Sequence, residues 1–287
     1  MFESELTAAV AVAREASQSI LRHYALDIIA EEKLGLDNYS EPVTIADRAA
    51  SRIIVDGLRS AFPNDGILSE EEIDDVQLRV TKNRVWIIDP IDGTQGFVNK
   101  DGDFAVQIGL AENGEPVAGV VLLPVHDVVY YASRGGGAWS VSGADEPQRL
   151  AVSRKMEPSE MTVASSRNHP TPRMERIKEY FGISKEQKRG SVGLKVGLIA
   201  EQECDLYINL SPRTKFWDTC SPQIILEEAG GALTDIFGER IRYDIEDVQN
   251  YSGVVATNGV SHSLIIEKLK PLLNEFGRFK VKAKSGK

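Results

Sequence analysis

The chain has no run of eighteen apolar residues, so a membrane-spanning helix is not expected. Glu3 and Glu5 stand where a secretory leader would carry a basic run and then an apolar stretch, so secretion by such a signal is not expected either. Cysteine is scarce. Cys204 and Cys220 lie in separate elements without zinc-type spacing, which argues against a disulfide framework and a structural zinc site and fits free thiols in a reducing cytoplasm. Positive charge is in the minority, and a net charge of -10 removes the broad basic footprint that a nucleic-acid polymer requires. An anionic substrate must then be met by positive charge gathered locally, for which a bound divalent cation is one source. Lys280, Lys282, Lys284 and Lys287 form a basic tail expected to fray. No internal repeat is visible, and 42% hydrophobic content over 287 residues suffices for one large domain or two packed subdomains.

Residues 86–94, Trp-Ile-Ile-Asp-Pro-Ile-Asp-Gly-Thr, carry the strongest signal. An apolar strand from Val85 to Ile88 delivers Asp89 and Asp92 into a Gly-Thr turn, and Pro90, lacking a ladder donor, is expected to end the pairing. Carboxylates there can hold a metal while the amides of Gly93 and Thr94 face a phosphate; the same residues could also be a plain acidic turn. Three further acids bear on the choice. Glu70 follows the short apolar strand after Pro63-Asn64-Asp65-Gly66, where loop acids are ordinarily just solvated. Asp218 precedes an apolar helical run that stops at Gly230-Gly231, and alone it reads as a helix N-terminal acid. Asp47 in Thr44-Ile45-Ala46-Asp47 reads alone as part of a capping box.

The remaining pattern places these acids in two halves. Two helices, one beginning near Leu6 and one at Asp47, precede strands at 85–88, 104–110, 117–123, 128–132 and 138–141, joined by turn chemistry. Gly135-Gly136-Gly137 precedes a strand rather than a helix and reads as a wide hairpin turn, not a phosphate loop. A polar link at 142–160 suggests subdomains 1–150 and 151–287, the second alternating strands at 161–165, 205–209, 233 and 253–256 with helices at 171–181, 194–201, 218–229 and 261–276.

In this order, T-x-x-D, E-E, D-P-I-D-G-T and W-D resemble the Mg²⁺-dependent, lithium-sensitive phosphatase superfamily of inositol monophosphatases and 3′(2′),5′-bisphosphate nucleotidases. The nucleotidase branch is the more similar, through Asp92-Gly93-Thr94-Gln95-Gly96-Phe97, Ala164 to His169, Gly190 with Lys195, and Trp217 to Pro222; Gln95 and Asn168 stand where Lys and Ser are usual. The resemblance implies an α+β or α/β layered αβαβα sandwich, with an antiparallel sheet in the first half and a smaller mixed sheet in the second. It implies one Mg²⁺ on Glu70, Asp89 and the Ile91 carbonyl, a second on Asp89, Asp92 and Asp218, and room for a third at Glu70. Oxygen ligands without His or Cys suit magnesium and not zinc. Asp47, Glu70 and Thr94 would be catalytic, with Gly93 and Thr94 on the phosphate.

Substrate choice would fall to His169 as a base platform and to Lys195 or Arg213 as the cation for a second phosphate, although a surface histidine and a solvated lysine are the plain readings. The substrate implied is a small phosphate, adenosine 3′,5′-bisphosphate giving AMP. The alternative is inositol monophosphate or another polyol phosphate, which needs neither His169 nor Lys195. An inactive metal-binding regulatory homologue is disfavoured because all five acids and Thr94 are present. A homodimer is compatible with the sequence, which does not set the oligomeric state.

Overall fold

The computed structural model describes residues 2–26, 30–34, 40–168 and 170–280, so Lys282, Lys284 and Lys287 of the basic tail lie outside the described residues. The chain opens with α1 (Glu3–Tyr24), β1 (Glu31–Leu34), β2 (Ser40–Val43), α2 (Ile45–Ala61), β3 (Gly66–Ser69), α3 (Val76–Arg79), β4 (Arg84–Asp92) and α4 (Thr94–Val98). A meander follows: β5 (Ala105–Glu112), β6 (Glu115–Leu123), β7 (Val128–Ser133), β8 (Gly137–Ser142) and β9 (Gln148–Arg149). The rest alternates: β10 (Thr162–Ser166), α5 (Pro172–Phe181), β11 (Lys185–Arg189), α6 (Val192–Ala200), β12 (Leu206–Asn209), α7 (Phe216–Glu228), β13 (Ala232–Asp235), β14 (Val254–Thr257) and α8 (His262–Glu275). Among the described residues no helix is long and apolar enough to cross a membrane.

Two sheets, ordered β3-β4-β5-β6-β7-β8-β9 and β11-β10-β12-β14-β13, are separated by α6 and α7 and covered outside by α1 and α2 on one side and α5 and α8 on the other. Each interface is a separate apolar layer. Ala9, Ala13, Ala16 and Ile20 of α1 meet Ala46, Ala50, Ile54 and Leu58 of α2 over the first sheet. Small residues let these helices approach closely: a Cβ on Gly57 would lie 2.5 Å from Val12. The inner face of the first sheet packs on Leu194, Ile224 and Ile225 from the central helices, whose other side meets the second sheet through Val196, Ile199 and Leu226.

Three expectations change. The first sheet is antiparallel except at its β3 edge, where β3 runs parallel to β4 because the segment containing α3 returns the chain to the same end of the sheet. Pairing does not end at Pro90; it resumes at Asp92↔Ala105 after a register shift beyond Asp89↔Gln107. Strand β11 has no counterpart in the sequence reading, since Lys-Glu-Gln-Lys-Arg lacks the apolar signal of a strand; it is an edge strand parallel to β10, where charge suits the open side. The triple-glycine segment is a hairpin turn as expected, and its Gly135 and Gly137 amides both donate to the Glu228 carboxylate at 2.9 Å.

Candidate active site

Asp89 and Asp92 are three residues apart, so in a regular strand they would point to opposite faces. Between the pairs Asp89↔Gln107 and Asp92↔Ala105, β4 spends three steps against two on β5, a one-residue bulge. The extra residue turns both carboxylates to one side. Proline at position 90 has no N–H to lose from the ladder, which is why the bulge falls there.

The third acid arrives by helix packing. Gly109 and Gly119 face each other across β5 and β6, and a Cβ on either would lie 2.9 Å from Ser221 backbone atoms. Without side chains there, α7 rests on the sheet backbone, and Asp218 in its first turn comes alongside β4. One carboxylate oxygen each from Asp89, Asp92 and Asp218 lies within 4.8 Å of the others. Burial, then repulsion from Glu70, Asp92 and Asp218, pushes the Asp89 carboxyl well above its ordinary range. Asp218 is driven up likewise, by burial first and Asp92 second. An all-oxygen set that resists ionisation by itself is what a hard divalent cation would stabilise, so these residues fit magnesium.

Each acid is held by its own scaffold. Asp89 accepts the Ile91 N–H at 3.0 Å. Asp92 Oδ2 takes three donors, Gln107 Nε2 at 2.6 Å, Ser191 Oγ at 2.5 Å and the Gly193 N–H at 2.9 Å. Asp218 accepts the Lys215 N–H at 2.6 Å. Ser191 also caps α6 through the Leu194 N–H, so one hydroxyl starts the helix and fixes the ligand.

Asp47 completes the capping box of α2 and also reaches Thr94. Its Oδ2 accepts the Thr44 N–H at 2.8 Å and the Thr44 hydroxyl at 2.6 Å, while Oδ1 accepts the Thr94 hydroxyl at 3.2 Å. Thr94 Oγ1 also lies 3.2 Å from the Ile91 carbonyl. Burial raises the Asp47 carboxyl to about 6. Gly93 is left-handed at φ 94°, and a Cβ there would sit 2.7 Å from the Asp103 carbonyl, so the turn admits glycine alone without strain. Thr94 begins α4, where its N–H has no intrahelical acceptor.

Glu70 follows β3 and donates its N–H to the Ile88 carbonyl at 3.1 Å, which sets it beside Asp89. Lys33, which the sequence reading did not single out, pairs with Glu70 at 2.9 Å and with Glu71. Burial and the neighbouring Glu70 raise the Glu71 carboxyl to about 7. Lys195 is 2% exposed; its ammonium donates to the Gly190 carbonyl at 2.6 Å and lies 5.1 Å over the Tyr207 ring. Burial lowers it to about 8 against the pull of Asp92, Asp103 and Asp218. Arg213 is exposed in the loop between β12 and α7, and His169 lies outside the described residues.

Gln107, Ser191 and Gly193 were not anticipated. For Ser191 a signal existed, a serine before the apolar Val192-Gly193-Leu194 run. Gln107 carried none, because a glutamine in a strand is unremarkable until its partner is known.

The profile of the inositol monophosphatase family matches residues 2–273. The 3′(2′),5′-bisphosphate nucleotidase CysQ of Escherichia coli (strain K12) is 34% identical over 238 residues, covering 81% of this chain and 91% of its own. The crystal structure of CysQ from Bacteroides thetaiotaomicron superposes with a TM-score of 0.75 at 31% identity, over 90% of this chain and 98% of that one. An IMPase of Thermotoga maritima superposes with a TM-score of 0.78 at 27% identity, over 95% and 99%. Matched by that family over nearly its whole length and 34% identical to a member over 81% of it, this protein belongs to the inositol monophosphatase family.

Proposed function

We propose that the chain is a Mg²⁺-dependent phosphoric monoester hydrolase, a 3′(2′),5′-bisphosphate nucleotidase that removes the 3′ (or 2′) phosphate of adenosine 3′,5′-bisphosphate to leave AMP. The observation that carries the reading is the convergence of Asp89, Asp92 and Asp218 beside the Gly93-Thr94 turn, in a chain similar to CysQ nucleotidases over most of its length. Glu70, Asp89 and the Ile91 carbonyl would hold one Mg²⁺, and Asp89, Asp92 and Asp218 a second, with a third at Glu70. Bound there, magnesium supplies an activated water and neutralises charge on the attacking and leaving oxygens.

The protein's own groups do the rest. Thr94, its hydroxyl fixed between Asp47 and the Ile91 carbonyl, orients the attacking water. Glu70 accepts its proton, and the Gly93 and Thr94 amides receive the phosphate oxygens. In this division residues 1–150 supply most ligands, and residues 151–287 supply Asp218 and the substrate-selecting residues His169, Lys195 and Arg213. Lys195 acts there by its charge, its buried ammonium giving one of its three hydrogens to the Gly190 carbonyl. Both cysteines are free and buried, in keeping with a reducing cytoplasm.

The burial of Lys195, with the likeness to the Thermotoga IMPase, also favours a second reading, in which a polyol monophosphate is the substrate. Phosphate release with Mg²⁺ from adenosine 3′,5′-bisphosphate, AMP and inositol 1-phosphate separates the two. A higher kcat/KM for the bisphosphate supports the nucleotidase, and a higher value for inositol 1-phosphate replaces it with the polyol phosphatase.

A further inference from the structure

We infer that Asp103 is a positioning residue for the metal-holding turn, acting through Gly190 to fix the group of donors that orients Asp92. The inference rests on the metal-centre reading above and goes beyond it, because Asp103 is not one of the three clustered acids and would act on them only through Gly190.

Asp103 sits between α4 and β5, and its side chain is 5% exposed. Its carboxylate Oδ2 accepts the Gly190 N–H at 3.0 Å and pairs with Arg167 Nη2 at 3.0 Å. Its main-chain carbonyl lies under three glycines at once: a Cβ on Gly93, Gly96 or Gly190 would stand 2.7, 2.6 or 2.6 Å from that oxygen. The Asp103 backbone therefore touches the Asp92-Gly93-Thr94 turn on one side and the start of the α6 cap on the other. Its side chain locks the second contact by holding the Gly190 amide. Gly190 in turn bonds the Lys195 ammonium through its carbonyl and precedes Ser191, whose hydroxyl, with the Gly193 N–H, grips Asp92 Oδ2.

The charge is itself held. Asp101 accepts the Asp103 N–H at 2.9 Å and shares Arg167 at 3.4 Å, so a guanidinium from the end of β10 braces both acids. A buried carboxylate is costly unless it is paired and hydrogen-bonded, and here Arg167 supplies the pairing while the Gly190 N–H supplies the hydrogen bond. Nothing in this arrangement reaches the reacting atoms. Its consequence is geometric: loss of the carboxylate frees Gly190, loosens the Ser191 and Gly193 donors, and lets Asp92 turn away from Asp89 and Asp218.

The test is Mn²⁺ binding to the full metal-free chain by calorimetry, beside thermal unfolding, for wild type, Asp103→Ala, Asp103→Asn and Arg167→Ala. Outer partners of metal ligands ordinarily change affinity by about ten- to a hundredfold, and Asp103, one link further out, should give about tenfold in Asp103→Ala. Asp103→Asn keeps an acceptor for the Gly190 N–H and should recover most of that loss. An Asp103→Ala that melts lower yet binds Mn²⁺ as wild type does, or an Asp103→Asn as weak as Asp103→Ala, overturns the inference. Should Asp103→Ala not fold, Arg167→Ala decides: weaker Mn²⁺ binding supports the brace, and unchanged binding overturns it. The measurement uses no substrate, so a wild type inactive on bisphosphates would sink the nucleotidase reading without touching this one.

Discussion

Replacing Gln107 by leucine isolates how much of the metal site is held from behind. The side chain is fully buried, donates to Asp92 at 2.6 Å and accepts from the Ser221 hydroxyl at 3.2 Å. Leucine nearly preserves the volume and removes both bonds. Asp92 keeps Ser191 and Gly193, two of three donors, so the loss is one hydrogen bond to a charged acceptor, worth about 1.5–3 kcal/mol. In the metal-free protein Asp92 can offset this by taking up a proton, its carboxyl being already raised by burial. With a cation bound it must stay ionised, so the loss falls on metal affinity, about ten- to a hundredfold. Calorimetric titration of Mn²⁺ into metal-free wild type and Gln107→Leu reads that ratio directly, and thermal unfolding of the same samples reports the smaller cost of the stranded Ser221 hydroxyl. Equal affinities in two folded proteins would refute the claim that Asp92 is oriented by its donors.

Asp89→Asn should fold and fail, because the lost charge relieves repulsion from Glu70, Asp92 and Asp218 while removing the acid placed to serve both ions; phosphate release and unfolding temperature measured together check it, and retained activity would contradict the two-ion assignment. Metal-free protein should lose stability as pH rises from about 4 to 7. Asp47 and Glu71 titrate in the fold at about 6 and about 7 against ordinary values of 3.8 and 4.5, so the folded state binds more protons than the unfolded chain across that window. The effect is at most about 3 kcal/mol per group, saturating Mg²⁺ should flatten it, and unfolding in EDTA at stepped pH measures it; a stability that rose with pH would have the wrong sign.

What could be read from the sequence was the chemistry carried by adjacent residues. Asp89, Pro90, Asp92, Gly93 and Thr94 stand within six positions, and their types alone dictate a strand, an irregularity and a turn. The consequence of Pro90 was misjudged because a bulge depends on the partner strand: whether pairing stops or shifts is settled by Gln107 and Ala105 on β5. Residues that hold the ligands were hidden for the same reason. Ser191 meets Asp92 across 99 positions, and only the fold brings them together. The packing of α7 on Gly109 and Gly119 was equally invisible, since a glycine in a strand could mark a bulge as readily as a close approach. Lys195 shows the opposite limit: its place near a helix start was legible, but its burial against Gly190 and Tyr207 was not.

The central claim is that the three-aspartate centre uses magnesium to release one particular phosphate, and product analysis of adenosine 3′,5′-bisphosphate tests it most directly. Wild type and Asp218→Ala are titrated with Mg²⁺ from EDTA, and the nucleotide product is resolved by phosphorus NMR. Wild type should form 5′-AMP only when Mg²⁺ is present, and Asp218→Ala should need far more of it. Release of adenosine 3′-monophosphate, or turnover that persists in EDTA, would contradict the account.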